Sequence, residues 1–249
     1  KILLLNLAEY MERDDQGLPL HGSLLGSVAE KVHAYAKALH YKETEFEVSP
    51  NKTVAALISI NNHLGQPEAA VGILQYAQKY LAMGTDMTAS WYEKLLRWED
   101  ALESYQRLQL QNPTDLNVAI GRMRCFQALN DWQSLEILAK KCWSDNDINN
   151  KNREIAALAS AAAWKLGKWS ALDSYLEAMP ENSLDGSFYR AVRNVHSANY
   201  IQAQYYIEFA RELVDAELTG LISESYRRAY DFIITTQMLT ELEEIIDYK

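Results

Sequence analysis

The sequence predicts an all-α protein, a superhelical array of antiparallel helix hairpins of the tetratricopeptide or HEAT-like α-solenoid kind. Three observations carry the prediction. Turn-forming residues are scarce: 249 residues hold 10 glycines and 5 prolines, about half their usual combined share. That is too few for the turns of a β-sandwich, a barrel or a dinucleotide-binding domain. Apolar residues recur at helical spacing, as in Val118, Met123, Phe126 and Leu129, and again in Ile155, Leu158, Ala162 and Leu166, which marks one face of a helix. The third observation is a short motif that returns along the chain.

The motif is leucine or a small residue, a turn residue, an aromatic two positions on, and a small or apolar residue three further. It reads Leu166-Gly167-Lys168-Trp169-Ser170-Ala171-Leu172 and Leu129-Asn130-Asp131-Trp132-Gln133-Ser134-Leu135. Weaker copies begin at Leu96 and Ala198, and a copy at Leu64 has proline in place of the aromatic. The anchors Pro67, Trp98, Trp132, Trp169 and Tyr200 lie 31, 34, 37 and 31 residues apart, around the tetratricopeptide period of about 34. Each copy joins two helices. Glycine or asparagine tolerates the positive φ of a tight turn, the aromatic opens the second helix, and the small residue lets the helices approach. Such a hairpin leaves an apolar face that only the next hairpin covers.

In chain order, Lys1–Glu9 is already apolar and helix-forming, with no N-cap before it. Arg13–Gly22 is polar and reads as a loop, and Val28–Glu47 reads as one helix of about five turns. Hairpins follow at 53–80, 88–111, 114–142, 153–179, 184–214 and 216–249. Their helices are expected to start near Thr53, Glu68, Trp98, Thr114, Asp131, Trp169, Leu184 and Asn199. Pro50, Pro113 and Pro180 separate repeats, because proline cannot continue a helix. Gly84–Thr88 and Ser144–Asn152 are polar connections. Trp98, Trp132 and Trp169 are expected to be mostly buried, each between the two helices of its own hairpin. Glu241–Lys249 is still in helical period, with no glycine or proline stop. Both ends read as cuts through helices, so residues 1–249 are expected to be one continuous piece of a longer polypeptide.

The chemistry is mostly negative. Lysine and arginine number 24 against 34 acidic residues, a net charge of −10, and the cations are scattered, whereas nucleic-acid binding needs them clustered. The two cysteines, Cys125 and Cys142, form no CxxC, which excludes a zinc knuckle or a disulfide framework and suits a reducing compartment. The richest apolar run, Ile155–Trp164, is 10 residues, well short of the ~20 that cross a bilayer. There is no phosphate loop, no kinase signature, no HExxH and no GxSxG, so no catalytic, cofactor or metal residue is assigned. Glu30 and His33 supply only half of a di-iron Glu-x-x-His pair. His33 and His40, seven apart on one helix face, read as packing or surface residues. One patch, Arg190, Arg193, Arg211, Arg227 and Arg228, could gather on an anion or a partner if the last two hairpins bring it together; its plainer reading is a set of ion pairs.

Longer blocks go further. Leu5-Asn6-Leu7-Ala8-Glu9-Tyr10-Met11-Glu12, Ala34-Tyr35-Ala36-Lys37-Ala38-Leu39-His40-Tyr41-Lys42-Glu43, Trp91-Tyr92-Glu93-Lys94-Leu95, Gly121-Arg122-Met123-Arg124-Cys125 and Asp185-Gly186-Ser187-Phe188-Tyr189-Arg190-Ala191-Val192 resemble the FAT region of the target-of-rapamycin kinases. So does the closing Glu241–Lys249. The resemblance implies a helical-repeat region that wraps the catalytic domain of a giant serine/threonine kinase of the phosphatidylinositol-3-kinase-related group. It implies a non-catalytic scaffold that clamps and regulates that domain within a nutrient-sensing complex controlling growth. ATP and magnesium would then be confined to the parent's kinase domain. The implied partners are that kinase domain and the adaptor and regulatory subunits of the complex, with neither nucleic acid nor membrane insertion. The implied location is cytoplasmic, with peripheral association with lysosomal or vacuolar membranes through the complex. Some relatives hold an inositol polyphosphate in a basic pocket, but Glu181 and Phe209 stand in or near stretches where cations would be needed. The residues alone leave a second reading open: a free-standing tetratricopeptide-like adaptor that binds a peptide or helix in its groove.

Overall fold

The computed structural model describes residues 2–13, 18, 20–81, 85–143, 150–222 and 226–249, with side chains at 3–12, 18, 20–81, 89–143, 153–219 and 229–249. Among the described residues there are fourteen α-helices and no strand. The first, α1 (Ile2–Arg13), precedes six hairpins: α2 (Gly22–Lys31) with α3 (Tyr35–Val48), α4 (Pro50–His63) with α5 (Pro67–Tyr80), α6 (Thr85–Lys94) with α7 (Trp98–Gln111), α8 (Leu116–Ala128) with α9 (Trp132–Cys142), α10 (Asn150–Lys165) with α11 (Trp169–Ala178), and α12 (Leu184–His196) with α13 (Tyr200–Ile222). A last helix, α14 (Tyr226–Tyr248), closes the chain. The chain divides into two compact units, 1–121 and 122–249.

All six hairpin turns are built alike. The residue closing the first helix is left-handed: His33 (φ 59°), Gly65 (73°), Leu96 (58°), Asn130 (59°), Gly167 (67°) and Ala198 (58°). Its N–H donates to the carbonyl three residues back, and the next N–H to the carbonyl five back, as in Asn130 to Gln127 (3.1 Å) and Asp131 to Phe126 (2.9 Å). This is the Schellman arrangement, which satisfies carbonyls that a helix end would otherwise orphan. The second residue then accepts the first hydrogen bond of the next helix, from Ala38, Ala70, Ala101, Leu135, Leu172 or Ala203. These six donors have no solvent exposure at all. They are the small or apolar positions of the sequence motif.

Helix order shows in the side-chain pairs. Glu9–Lys37 (2.9 Å) and Glu12–His40 (3.2 Å) share one sequence offset, so α1 runs parallel to α3 and stands where the second helix of a preceding hairpin would stand. Asn62 donates to the Lys94 carbonyl (2.8 Å) and Lys94 to that of Ala55 (3.2 Å), which sets α4 beside α6. Close packing limits side-chain size at Gly121, where a Cβ would come within 2.4 Å of the Tyr105 ring. That ring is anchored through its hydroxyl, which donates to Glu93 at 2.8 Å.

Several expectations are corrected. Val28–Glu47 is not one helix: it breaks at His33, and Tyr35 opens α3 as a sixth anchor. Histidine is among the residues enriched in the left-handed region, so this turn needs neither glycine nor proline. The expected hairpin 216–249 is replaced by two long helices, since Asp215-Ala216-Glu217-Leu218 offers no residue to stop α13. Helix α6 already begins at Thr85, inside the stretch read as a loop, and Pro50 opens α4 at its first position, where a missing N–H does no harm. The loop residues 14–17, 19, 82–84 and 144–149 lie outside the described residues. Trp98, Trp132 and Trp169 are half-buried rather than core. The tryptophan in the core is Trp91, at 2% exposure. No helix among the described residues is long and apolar enough to cross a membrane.

A stability comparison tests the shared turn. A Cβ on Gly167 would meet nothing within 4 Å, so Gly167→Ala isolates backbone strain and should destabilise by about 1 kcal/mol. Leu96→Gly, at an exposed turn residue, should instead be neutral or stabilising by up to about 1 kcal/mol. Urea denaturation of both variants that gave the same sign would contradict a left-handed requirement at these sites.

Candidate functional site: an arginine-stapled joint between hairpins

The densest polar construction joins α11 to α12. Ser183 caps α12, accepting from the Gly186 N–H at 3.1 Å. The Ser187 hydroxyl reaches the carbonyls of Ser183 (3.0 Å) and Glu181 (3.1 Å). Arg190 turns back to donate to the carbonyls of Leu176 (2.8 Å), Met179 (2.7 Å) and Pro180 (3.3 Å), at the end of α11. Glycine is required beside it. A Cβ at Gly186 would lie 2.6 Å from the Pro180 carbonyl and 2.8 Å from the Arg190 guanidinium. One turn on, Arg193 grips Asp173 through two bonds of 2.6 and 2.9 Å, the bidentate geometry a guanidinium favours. Phe188 and Tyr189 pack edge-on against Trp164, and burial together with nearby Asp185 pushes the Tyr189 phenol far above its ordinary range. The block Asp185–Val192 is therefore the wiring of one joint.

The anchors Pro67, Trp98, Trp132, Trp169 and Tyr200 each open the second helix of a hairpin. Trp169 stacks flat on His196 of the following hairpin, 3.9 Å between ring centroids, and Tyr35 stacks in the same way on His63 at 4.6 Å. These rings bridge consecutive hairpins, in place of the expected packing inside one hairpin. Of the arginine patch, the three members with described side chains are engaged separately. Arg190 and Arg193 serve α11, while Arg211 holds Glu243 (2.6 Å) and Thr240 (3.3 Å) on α14. Carbonyls and carboxylates between helices claim these three cations in place of a shared anion. Arg227 and Arg228 lie on α14, with side chains outside the described residues.

Other candidates resolve locally. His33 sits in a turn, so it shares no helix face with His40; it bonds the Tyr35 hydroxyl at 3.1 Å, and His40 meets Glu12. No group of three or more His, Cys, Asp or Glu among the described residues could hold a metal. Neither Cys125 nor Cys142 is in a disulfide.

A feature that sequence reading passes over is Glu136. It is buried on α9 between Lys140 (2.7 Å) and Lys168 (2.6 Å) and ties α9 to the start of α11. Hydrogen bonds from Lys140 and then Lys168 hold its carboxyl below the usual 4.5, against the opposing effect of burial.

The architecture defines a class, a helical-repeat segment built on the tetratricopeptide plan. Residues 156–249 match the FAT domain family model. A tetratricopeptide repeat protein from Parabacteroides merdae shares the fold, with a TM-score of 0.59 at 13% identity over 97% of this chain and 90% of that one. The chain is 44% identical to serine/threonine-protein kinase tor1 of Schizosaccharomyces pombe, over 99% of its own length and 11% of the relative's. It is also 44% identical to the TOR kinase of Arabidopsis thaliana, over 98% and 11%. The chain belongs to the FAT region of the target-of-rapamycin kinase family, and it spans about a tenth of the length of these curated relatives.

Glu136 makes a pH prediction. Its folded pKa is depressed, so its contribution is fully present above pH 4.5 and is lost as pH falls through the lower folded value. Glu136→Gln should cost about 1–3 kcal/mol at pH 7 and flatten the acid limb of the stability curve below pH 4.5. An unchanged limb, followed by circular dichroism in urea, would show that the two lysines do not act through this carboxylate.

Proposed function

We propose that this segment is a non-catalytic scaffold of a target-of-rapamycin-type kinase, clamping and regulating the kinase domain of the same polypeptide and supporting assembly of its growth-controlling complex. The observation that carries the reading is 44% identity to such a kinase along 99% of this chain, whose polar groups are engaged in joining helices. The outer faces of α1 and α14 support it, since both present apolar residues: Leu3, Leu7 and Tyr10 on one, Tyr230, Ile234, Ile245 and Tyr248 on the other. ATP and magnesium belong to the kinase domain of the parent in this reading. Adaptor and regulatory subunits are its further partners, and its place is cytoplasmic, with any lysosomal or vacuolar contact made through the complex.

A clamp restrains. Trp169→Ala removes the stack on His196, and for a half-buried ring the local cost should be about 2 kcal/mol. A loss of about 1.4 kcal/mol of restraint shifts an open–closed equilibrium roughly tenfold. Basal peptide phosphorylation by the full-length kinase complex should therefore rise, with faster hydrogen exchange across residues 154–177. Faster exchange with flat or falling activity would replace restraint by simple positioning of the catalytic lobes.

A further inference from the structure

We infer that the solvent-facing side of α13 docks a basic amphipathic helix of a partner protein, its leucines against Ile201, Tyr205 and Phe209 and its lysines or arginines on Glu208, Glu212 and Asp215. Helix α13 packs inward through Ala203, Ile207, Ala210 and Val214, all buried. Ile201, Tyr205, Glu208, Glu212 and Asp215 recur at the same three- and four-residue steps on the opposite side, and each is exposed.

The apolar half is a ridge. Ile201, Tyr205 and Phe209 stand four residues apart, the row of side chains with which a second helix interlocks. Ile201 is 88% exposed and Tyr205 58%, and Phe209 is half-buried beside them. Edge-on contact with Tyr206, 5.4 Å between ring centroids, braces the Tyr205 ring, so a partner spends little on ordering it.

Charge decides what covers the ridge. Residues 200–249 hold 10 acidic and 4 basic side chains, so a fifth of the chain carries −6 of its net −10. Arg211 is the single cation in the sequence of α13, and it is turned onto Glu243 and Thr240 of α14. Among the described residues, the side chains of Glu208, Glu212 and Asp215 have no ion pair or hydrogen-bond partner. Arg227 and Arg228 follow the C-terminal end of α13 at Ile222. That end lies about 15 Å of helix beyond Glu212, more than a screening length at physiological salt. Like charge disfavours the other occupants. A second copy would bring the same carboxylates to an isologous contact, and nucleic acid or an anionic lipid surface would bring phosphates. A helix with leucines on one stripe and lysines or arginines beside it meets both halves, and the negative field also speeds its encounter.

The test uses the 249-residue chain and fluorescence anisotropy with a labelled helical peptide that carries leucine at helical spacing, flanked by lysine and arginine. Two counterparts accompany it, one with glutamine in place of every base and one with the same residues in scrambled order. The basic amphipathic peptide should bind at least about tenfold tighter than either. Glu208→Gln and Glu212→Gln should each weaken it about threefold, and the two together about tenfold. Ile201→Ser and Tyr205→Ser should weaken the basic and the glutamine peptide alike. All four positions are exposed, so the variants retain the fold. Glu43→Gln, at an exposed carboxylate on α3, should change nothing. Equal binding of the scrambled or the glutamine peptide, no binding at all, indifference to either pair of substitutions, or self-association of the chain that Ile201→Ser abolishes would overturn the assignment.

Discussion

A residue in the left-handed region closes the first helix of each of the six hairpins, and its backbone bonds leave little freedom to the second helix. Two N–H groups are tied back into the first helix, and the next carbonyl already starts the second. The link is three residues long, so the entry of the second helix is fixed in both direction and phase. That explains an asymmetry among the anchors. The residue opening the second helix varies freely among Tyr35, Pro67, Trp98, Trp132, Trp169 and Tyr200, while the inward position three further on is always alanine or leucine and fully buried. Phase is dictated at one point, and side-chain identity matters where that phase aims a side chain into the hairpin. Only Gly65 and Gly167 adopt this backbone without cost. Leu96 and Ala198 carry about 1 kcal/mol of strain each, which the packing on both sides overrides.

Most of the fold is legible in the sequence because two signals with different physical origins agree. Scarcity of glycine and proline speaks for long helices, and the recurrent turn gives their phase. The parts that stay hidden have the same physics behind them. The His33 turn carries neither glycine nor asparagine, and Ala34-Tyr35-Ala36 reads as helix to any propensity argument. The break is enforced by packing, since Ala38 is fully buried and phased by that turn. The tryptophans mislead for a related reason. A large ring at the first position of a helix lies at the hairpin's edge and keeps one side wet, as at Trp98, Trp132 and Trp169, and Trp169 uses that place to bridge to the next hairpin. Trp91, inside a first helix and away from any turn, is the ring that reaches the core.

Charge divides between structure and surface in a way that composition hides. The three patch arginines with described side chains each meet a structural partner: carbonyls at the end of α11, Asp173, and Glu243. A guanidinium offers five donors in a plane, so Arg190 can serve three carbonyls where a lysine could not hold the same geometry. Sequence spacing makes these arginines neighbours along helices, but only the packing shows which face each one meets. The block Asp185–Val192 that signals the family is likewise explained by local need. Gly186 makes room, Ser183 and Ser187 close backbone bonds, and Arg190 seals the preceding helix.

The joint between the fifth and sixth hairpins combines three kinds of restraint: the Trp169–His196 stack, the Arg193–Asp173 fork, and the Arg190 carbonyl clasp. Two of these lie at opposite ends of α11, the stack at its first residue and the clasp at its last. A rocking motion that relieves one end therefore loads the other, and the fork between them resists sliding along the helix axis. Planar groups add to this, because a stacked indole or a bidentate guanidinium loses its geometry with small rotations. In a repeat array each unit feels only its neighbours, so stiffness is a local property that can differ from joint to joint. A joint restrained at both ends of a helix passes a rotation on to the next hairpin instead of absorbing it. For a segment whose proposed task is to hold a catalytic domain, that is the mechanical property required, and it arises here from side chains that perform no chemistry.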